Sequence, residues 1–330
     1  TRGAPAADGP DRHSGDAGGP AAERLRIRCP FHHHPRKGRA MPAVLVLLLA
    51  GTWLLSGALV TGTEPLIVAV GRTAVCCVVL TAVAASTADG RADLRRAAAR
   101  PGTVWLLGLL GFAGYAAGTL LAIPRIGTSL TNLVVALMPC ASVAVGVLFF
   151  GERSGPRKVA GAVLACAAAA GYAALGADAG DADGLGLLLV VAATVAFAVY
   201  GFLYRDRLSG LPPLAVLPVL LAAATCLLLP MALPALIAHP PTPAATGGTV
   251  VLGAVVYAPA YLVQHRLILL RGPVFTAAVQ LAVPFTVRLG DWALDTAPAP
   301  SPAELLLLAV CCGGIALVTV QPHARLAATE

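Results

Sequence analysis

Charge is scarce in this sequence. Only 12% of its 330 residues are Asp, Glu, Lys or Arg, while 58% are hydrophobic; a soluble domain devotes about a quarter of its residues to charge. Water is therefore not its main solvent. A phosphate-binding GxxxxGK[ST] loop is missing, which excludes a chain that hydrolyses ATP by that motif. No CxxC pair occurs among the eight cysteines, and seven of them (Cys76, Cys77, Cys140, Cys166, Cys226, Cys311, Cys312) sit inside apolar runs, where they read as small apolar fillers, with no metal site or disulfide framework. Asp and Glu are absent from the interior of every apolar run; Glu64, Glu152, Asp291 and Glu304 lie at the ends, so a carboxylate proton relay is not expected.

What the sequence has in abundance is long apolar runs. A bilayer-spanning helix needs roughly 20 mostly apolar residues, because backbone polar groups in hydrocarbon must be bonded within the segment. Ten such runs follow the low-complexity stretch 1–40: 43–60, 66–86, 103–123, 129–150 and 159–175, then, after an acidic loop with Asp178, Asp181 and Asp183, 185–204, 214–237, 249–270, 274–294 and 305–320. The fold class expected is an all-α integral membrane protein of about ten spans. Residues 1–40 lack hydrophobic periodicity and read as disordered, with Met41 as a candidate native start. The lipid bilayer is the first expected partner.

The net charge of +7 does not point to nucleic acid. Residues 1–40 contribute eight Lys/Arg against four Asp/Glu, and most of the other basic residues lie in short loops. Loops two-three (Arg91, Arg95, Arg96, Arg100), four-five (Arg153, Arg157, Lys158), six-seven (Arg205, Arg207) and eight-nine (Arg266, Arg271) hold eleven, whereas the alternate loops hold only Arg125. Cytoplasmic loops carry such an excess, so both termini are expected in the cytoplasm and the chain in the cytoplasmic (plasma) membrane. A reporter after Ala177 should then face outward.

Spans four and nine align as Leu133-Val-Val-Ala-Leu-Met-Pro139 and Ala278-Val-Gln-Leu-Ala-Val-Pro284, each preceded by a basic turn. Five spans per copy is an odd number, so a second copy must insert upside down with its loop charge reversed. The basic loop 151–158 indeed answers the Lys/Arg-free 295–302. The expected organisation is a first five-helix repeat at 41–176, a second at 184–322 and a short tail at 323–330. Inverted repeats of this kind characterise secondary transporters.

Several residues then carry a family likeness. Trp53 in span one, Gly71-Arg72 in span two, and Leu137-Met-Pro139 through Phe149-Phe-Gly-Glu152 closing span four make the stretch from Met41 to Pro322 resemble an EamA-type member of the drug/metabolite transporter superfamily. The second half departs from the pattern, with Thr296-Ala297 where GlyGlu stands in the first. The resemblance implies a secondary transporter that exports or exchanges a small metabolite or drug, acts without a cofactor and is not an enzyme. The alternative is a polytopic membrane protein without transport activity, either a lipid-handling enzyme or a scaffold or sensor.

Candidate site residues are the polar and charged side chains stranded in apolar spans. Arg72 is costly there by roughly 2.5–3.5 kcal/mol on insertion scales, and reads either as an anchor for a substrate carboxylate or phosphate or as a structural bond to helix-end carbonyls. Tyr257, Tyr261 and Gln264, with His265 alongside, share one face of span eight; they read as a cavity lining or as an interhelical hydrogen-bond set. Tyr115, Asn132, Tyr200 and Gln280 are further candidates, and Trp53 is a site residue or a packing aromatic. Arg288 and Asp291, at i,i+3, read as an ion pair or a gate. His265 is the one intramembrane group that ordinarily titrates near neutral pH. Substrate, transport direction, coupling ion and oligomeric state are not legible.

Overall fold

The computed structural model describes residues 40–60, 62–135, 137–175, 183–295 and 299–319, with Asn132 and Asp291 described only as backbone. The stretch 1–40, apart from Ala40, and the tail 323–330 lie outside the described residues, so expectations for them stay as they were. The described residues contain helices and no strand. Seven of these helical segments are long and apolar enough to cross a bilayer, and Met138–Phe150 and Pro302–Val318 are shorter apolar helices.

In chain order the α-helices are α1 (Met41–Val60), α2 (Pro65–Ala85), α3 (Ala88–Ala98), α4 (Pro101–Gly108), α5 (Gly114–Val135), α6 (Met138–Phe150) and α7 (Pro156–Leu175). They continue as α8 (Gly184–Leu208), α9 (Pro213–Ala238), α10 (Pro243–Val251), α11 (Ala258–Arg271), α12 (Pro273–Gln280), α13 (Val283–Ala293) and α14 (Pro302–Thr319). Proline at the first turn recurs (Pro65, Pro101, Pro213, Pro243, Pro273), where its missing N–H is one the helix would not use.

Sequence reading treats residues 87–100 as a loop, yet α3 forms there. Thr87 caps it by accepting from the Gly90 N–H at 3.1 Å, Asp89 sits in its first turn, and Arg95 and Arg96 in its last, so its charges oppose the helix dipole at both ends.

Two π-helical segments, Leu109–Ala113 and Leu252–Tyr257, join α4 to α5 and α10 to α11. Such turns shift the register of everything beyond them and recur at functional sites. Each carries a glycine that admits a neighbour: Gly111 faces the Tyr200 ring, and Gly253 faces the Arg72 carbonyl and Val75. Two helices also break in mid-span. One break falls at Leu137 and the other at Leu281–Ala282, each bridged by i→i−3 bonds of 3.1–3.2 Å (Leu137 to Val134, Leu281 to Ala278, Ala282 to Val279) and followed by a proline, Pro139 or Pro284, at the start of the next helix. These are the two prolines that the span four and span nine alignment pairs.

Packing is closest where glycine replaces a side chain. Gly161 on α7 and Gly314 on α14 bring those helices together, and Gly118 on α5 lies against Leu189 and Ala193 of α8. Contacts along α8 trace the path of α5: Gly118 meets Ala193, and Arg125 and Ile126 meet Gly186, so the two helices pack antiparallel. The largest core joins α2, α4, the first π-helical segment, α8, α9 and α11 through Leu80, Leu107, Phe112, Tyr200, Leu217 and Ile268.

At the start of α14, Ser301 accepts the Glu304 N–H at 3.2 Å while the Glu304 carboxylate accepts the Ser301 N–H, a reciprocal capping box. Arg288 Nε donates to the same carboxylate at 2.9 Å. Replacing Ser301 by alanine should cost about 1 kcal/mol, read as a lower unfolding midpoint of the purified protein, and Ser301→Asp should restore most of it.

Candidate functional site

The polar side chains stranded in the spans sort into three levels along the bundle. One end carries Arg205, Arg207 and Arg271; the opposite end carries Glu64, Asp183 and Thr242.

Nearest the acidic end is Arg72. Its Nη1 lies 3.4 Å from Ser56 Oγ of α1, its guanidinium sits 4.5 Å from the centre of the Tyr257 ring, and its Nε is buried without a partner. The Tyr257 contact is a cation–π pair, which strengthens where water is excluded. Among the described residues no carboxylate pairs with Arg72. Tyr115 is within electrostatic reach of both Arg72 and Tyr257.

The second level is aromatic. Phe112, placed by the first π-helical segment, meets Tyr261 edge-on at 5.1 Å and stacks on His265 at 6.0 Å; Tyr257 meets Tyr261 at 4.5 Å. His265 is 1% exposed. Its Nδ1 lies 2.7 Å from the Tyr261 carbonyl, which can only accept, so the ring proton is on Nδ1. Nε2 is then an acceptor and takes the Tyr200 hydroxyl proton. Both nitrogens of a neutral imidazole are thereby occupied, and Phe112, Tyr200 and Tyr204 enclose the ring. Tyr204 is also packed here, with its hydroxyl buried and without a partner.

The third level, toward the basic end, is a narrow cleft between α6, α8, α11 and α12. Gln264, Gln280, Ser142 and Thr276 give it polar atoms, and Met138, Phe197 and Ile268 give it apolar walls. As it stands it has room for about one water molecule. Its basic-end rim is closed by Gly201 against Pro273, where an added Cβ would approach the proline to 2.9 Å. Beyond that, Arg205 Nη1 bonds Glu152 Oε1 at 2.9 Å and lies over Gly272, whose φ of 90° suits glycine. The Arg205–Glu152 pair is partly exposed, and such pairs are worth about 0–1 kcal/mol.

The sequence candidates thus fall into distinct places. Arg72, Tyr115, Tyr257 and Tyr261 come together, as do Tyr200 with His265, and Gln264 with Gln280. Trp53 stands apart on the exposed side of α1, 57% exposed, which suits contact with lipid. The Asn132 side chain lies outside the described residues. Arg288 pairs with Glu304, with both side chains less than one-fifth exposed, while the Asp291 side chain lies outside the described residues. At the acidic end Arg125 bonds Asp183 at 2.7 Å and holds its carboxyl below the usual carboxylate range; that pairing persists above the usual carboxylate pKa and is lost as pH falls through the lowered one.

Sequence reading missed Ser56, Phe112, Ser142 and Thr276. Hydroxyls in helices bond their own backbone so often that they give no signal in a sequence, and Phe112 gains its place only from the π-helical shift. It also missed that Cys140 and Cys166, read as fillers, bring their sulfurs to 3.1 Å across α6 and α7. Among the described residues no three His, Cys, Asp or Glu side chains group as metal ligands.

Comparison with known proteins bears on this geometry. Residues 37–173 match the model of the EamA-like transporter family, which bears out the resemblance drawn from Trp53, Gly71-Arg72 and the span four signature. No curated protein matches the chain. A solved structure described only as "Crystal structure of protein" superposes with a TM-score of 0.72 at 22% identity, covering 86% of this chain and 97% of that one. At that identity the likeness speaks for the fold alone.

Proposed function

We propose, from an EamA-type first half, that this protein is a secondary transporter moving a small solute by alternating access through ten spans arranged as two inverted repeats, 41–176 and 184–322. The π-helical segments of spans three and eight and the proline-marked breaks of spans four and nine support the repeat. Each pair occupies corresponding places in the two copies. In this reading α4 and α5 make span three and the first part of span four, while α10 and α11 make span eight. The excess of Lys and Arg in the loops at the basic end supports a cytoplasmic basic end and cytoplasmic termini.

The observation that carries the transporter reading is the buried cleft where the broken helices meet α8 and α11. Discontinuous helices near the midplane are where transporters of this design bind solute, because broken backbone is tolerated in a bilayer only where it lines a cavity or is buried in protein. Arg72 and the aromatic level sit on the path from that cleft to the outer side. Opening inward would separate Gly201 from Pro273 and break Arg205–Glu152. Opening outward would part the aromatic level below Arg72.

Arg72 is the residue on which this reading is tested. Among the described residues its charge has no carboxylate partner, and only a guanidinium both bonds Ser56 and stacks on Tyr257. In vesicles reconstituted with purified protein, Arg72→Ala should lower flux at least tenfold and Arg72→Lys should recover only part of it, with both variants inserted and folded. Flux unchanged by Arg72→Ala would give that residue a structural role alone. The substrate panel should span amino acids, nucleosides and cationic dyes, and flux of none above protein-free vesicles would overturn the transporter reading.

A further inference from the structure

The cleft near the basic end has an unusual balance of chemistry for a buried site. Gln264 is 4% exposed, and Gln264, Gln280 and Ser142 line the cleft. None of the three has a described hydrogen-bond partner, while the Thr276 hydroxyl is committed to the Gly272 carbonyl at 3.0 Å. Among the described residues no ionisable side chain lines the cleft. Gln280 is half-buried, and a carboxamide as enclosed as that of Gln264 is costly to leave open unless something supplies both an acceptor for its N–H groups and a donor for its carbonyl.

Charge decides what that partner is. A carboxylate would satisfy the amide N–H groups and be repelled by the amide oxygens; an ammonium would do the reverse. Either would bring a charge into low dielectric with no countercharge in the lining. A cation would also meet Arg72, which lies over Tyr257, two helical turns from Gln264 on the same face. The walls from Met138, Phe197 and Ile268 are apolar and suit a flat or aliphatic body.

We infer that this cleft binds an uncharged small molecule bearing an amide-like edge, with donor and acceptor side by side, held between the carboxamides of Gln264 and Gln280. Carboxamides, ureas and nucleobases share that edge. This rests on the transporter reading only for the ligand's role as cargo; the binding itself does not depend on it. The cleft must widen to admit such a molecule, and the Gly201–Pro273 contact is the seam along which it does so.

Three molecules of nearly equal shape separate the cases: nicotinamide, nicotinate and 3-(aminomethyl)pyridine, which are neutral, anionic and mainly cationic at pH 7. The purified full chain in detergent, at fixed ionic strength, should show a dose-dependent rise of a few degrees in unfolding midpoint with millimolar nicotinamide, and less than a third of that shift with either charged analogue. Gln264→Leu and Gln280→Leu should each abolish the nicotinamide shift, and Gln280→Glu should transfer the preference to the cationic analogue.

Should the leucine variants fail to fold, hydrogen exchange on the unmodified protein serves instead, with nicotinamide slowing exchange in α6 and α12 and leaving α3 unchanged. An equal shift from a charged analogue, no shift from nicotinamide, or a shift that survives both leucine substitutions would each overturn the inference. Nicotinamide flux in proteoliposomes, measured against protein-free vesicles, tests the cargo role separately. Binding without flux would leave the site standing and remove its role in transport.

Discussion

Gly111→Ala is expected to be among the most damaging single-methyl additions this protein can suffer. The added carbon would lie 2.4–2.6 Å from three carbons of the Tyr200 ring. That ring cannot retreat, since it is fully buried, packs on Phe112, Phe197 and Tyr204, and is tied by its hydroxyl to His265. Overpacking costs about 1–3 kcal/mol where the core can adjust. Displacing Tyr200 would also strand a buried hydroxyl or imidazole nitrogen, for about 1–3 kcal/mol more. The expected result is a loss of about 2–6 kcal/mol by these two principles, seen as little monodisperse protein in mild detergent. Tyr200→Ala in the Gly111→Ala background should recover part of the folded yield because it removes the ring that is struck. If the double variant is no better folded than Gly111→Ala alone, the clash is not the cause.

His265→Ala carries the second large effect, and its size identifies what the histidine does. A single interhelical hydrogen bond in a bilayer protein is worth about 0.6 kcal/mol on average and about 1.7 at most. Tyr200→Phe, which removes only that bond, should therefore lower stability by about 1 kcal/mol. Truncating a packed ring costs far more, about 3–5 kcal/mol for large aromatic side chains, and His265 is enclosed by Phe112, Tyr200, Tyr204 and Tyr261. His265→Ala should fall in that range. Titration of unfolding in mixed detergent measures both.

The same geometry speaks to coupling. With Nδ1 committed as a donor to Tyr261 and Nε2 as an acceptor from Tyr200, the imidazole has no free position for a transported proton. Flux measured between pH 6 and 8 should keep its pH profile in Tyr200→Phe. A profile that moves with that substitution would return His265 to the coupling mechanism.

Much of the architecture is written in local pattern. Apolar runs long enough to cross a bilayer follow from hydropathy, because hydrocarbon leaves backbone groups no partner outside the helix. Pro139 and Pro284 mark the broken helices since neither can donate a backbone hydrogen bond. Segment 87–100 shows the limit of that reading: hydropathy makes it a loop, while the Thr87 cap and its opposed end charges make it α3.

The site was legible as a set of residues and not as an arrangement. Tyr257, Tyr261 and Gln264 share a face by spacing alone, and Arg72 declares itself by the cost of its charge. Spacing could not say that His265 points at Tyr200, that Arg288 meets Glu304, or that Gln264 and Gln280 open into one cleft while Trp53 turns outward. The partners are separated by 65 residues for His265 and 16 for Arg288, and Phe112 and Tyr257 each lie within a π-helical segment.

By itself, then, the sequence determined a helical membrane protein, its long apolar segments and the polar residues those segments can least easily carry, because each of these depends only on near neighbours along the chain. Which of those residues are spent on one another and which face a cleft was decided by tertiary structure alone. A buried polar group is satisfied or stranded by what stands across the gap from it, and helix packing, set here by glycines such as Gly111, Gly118 and Gly314, chooses that neighbour.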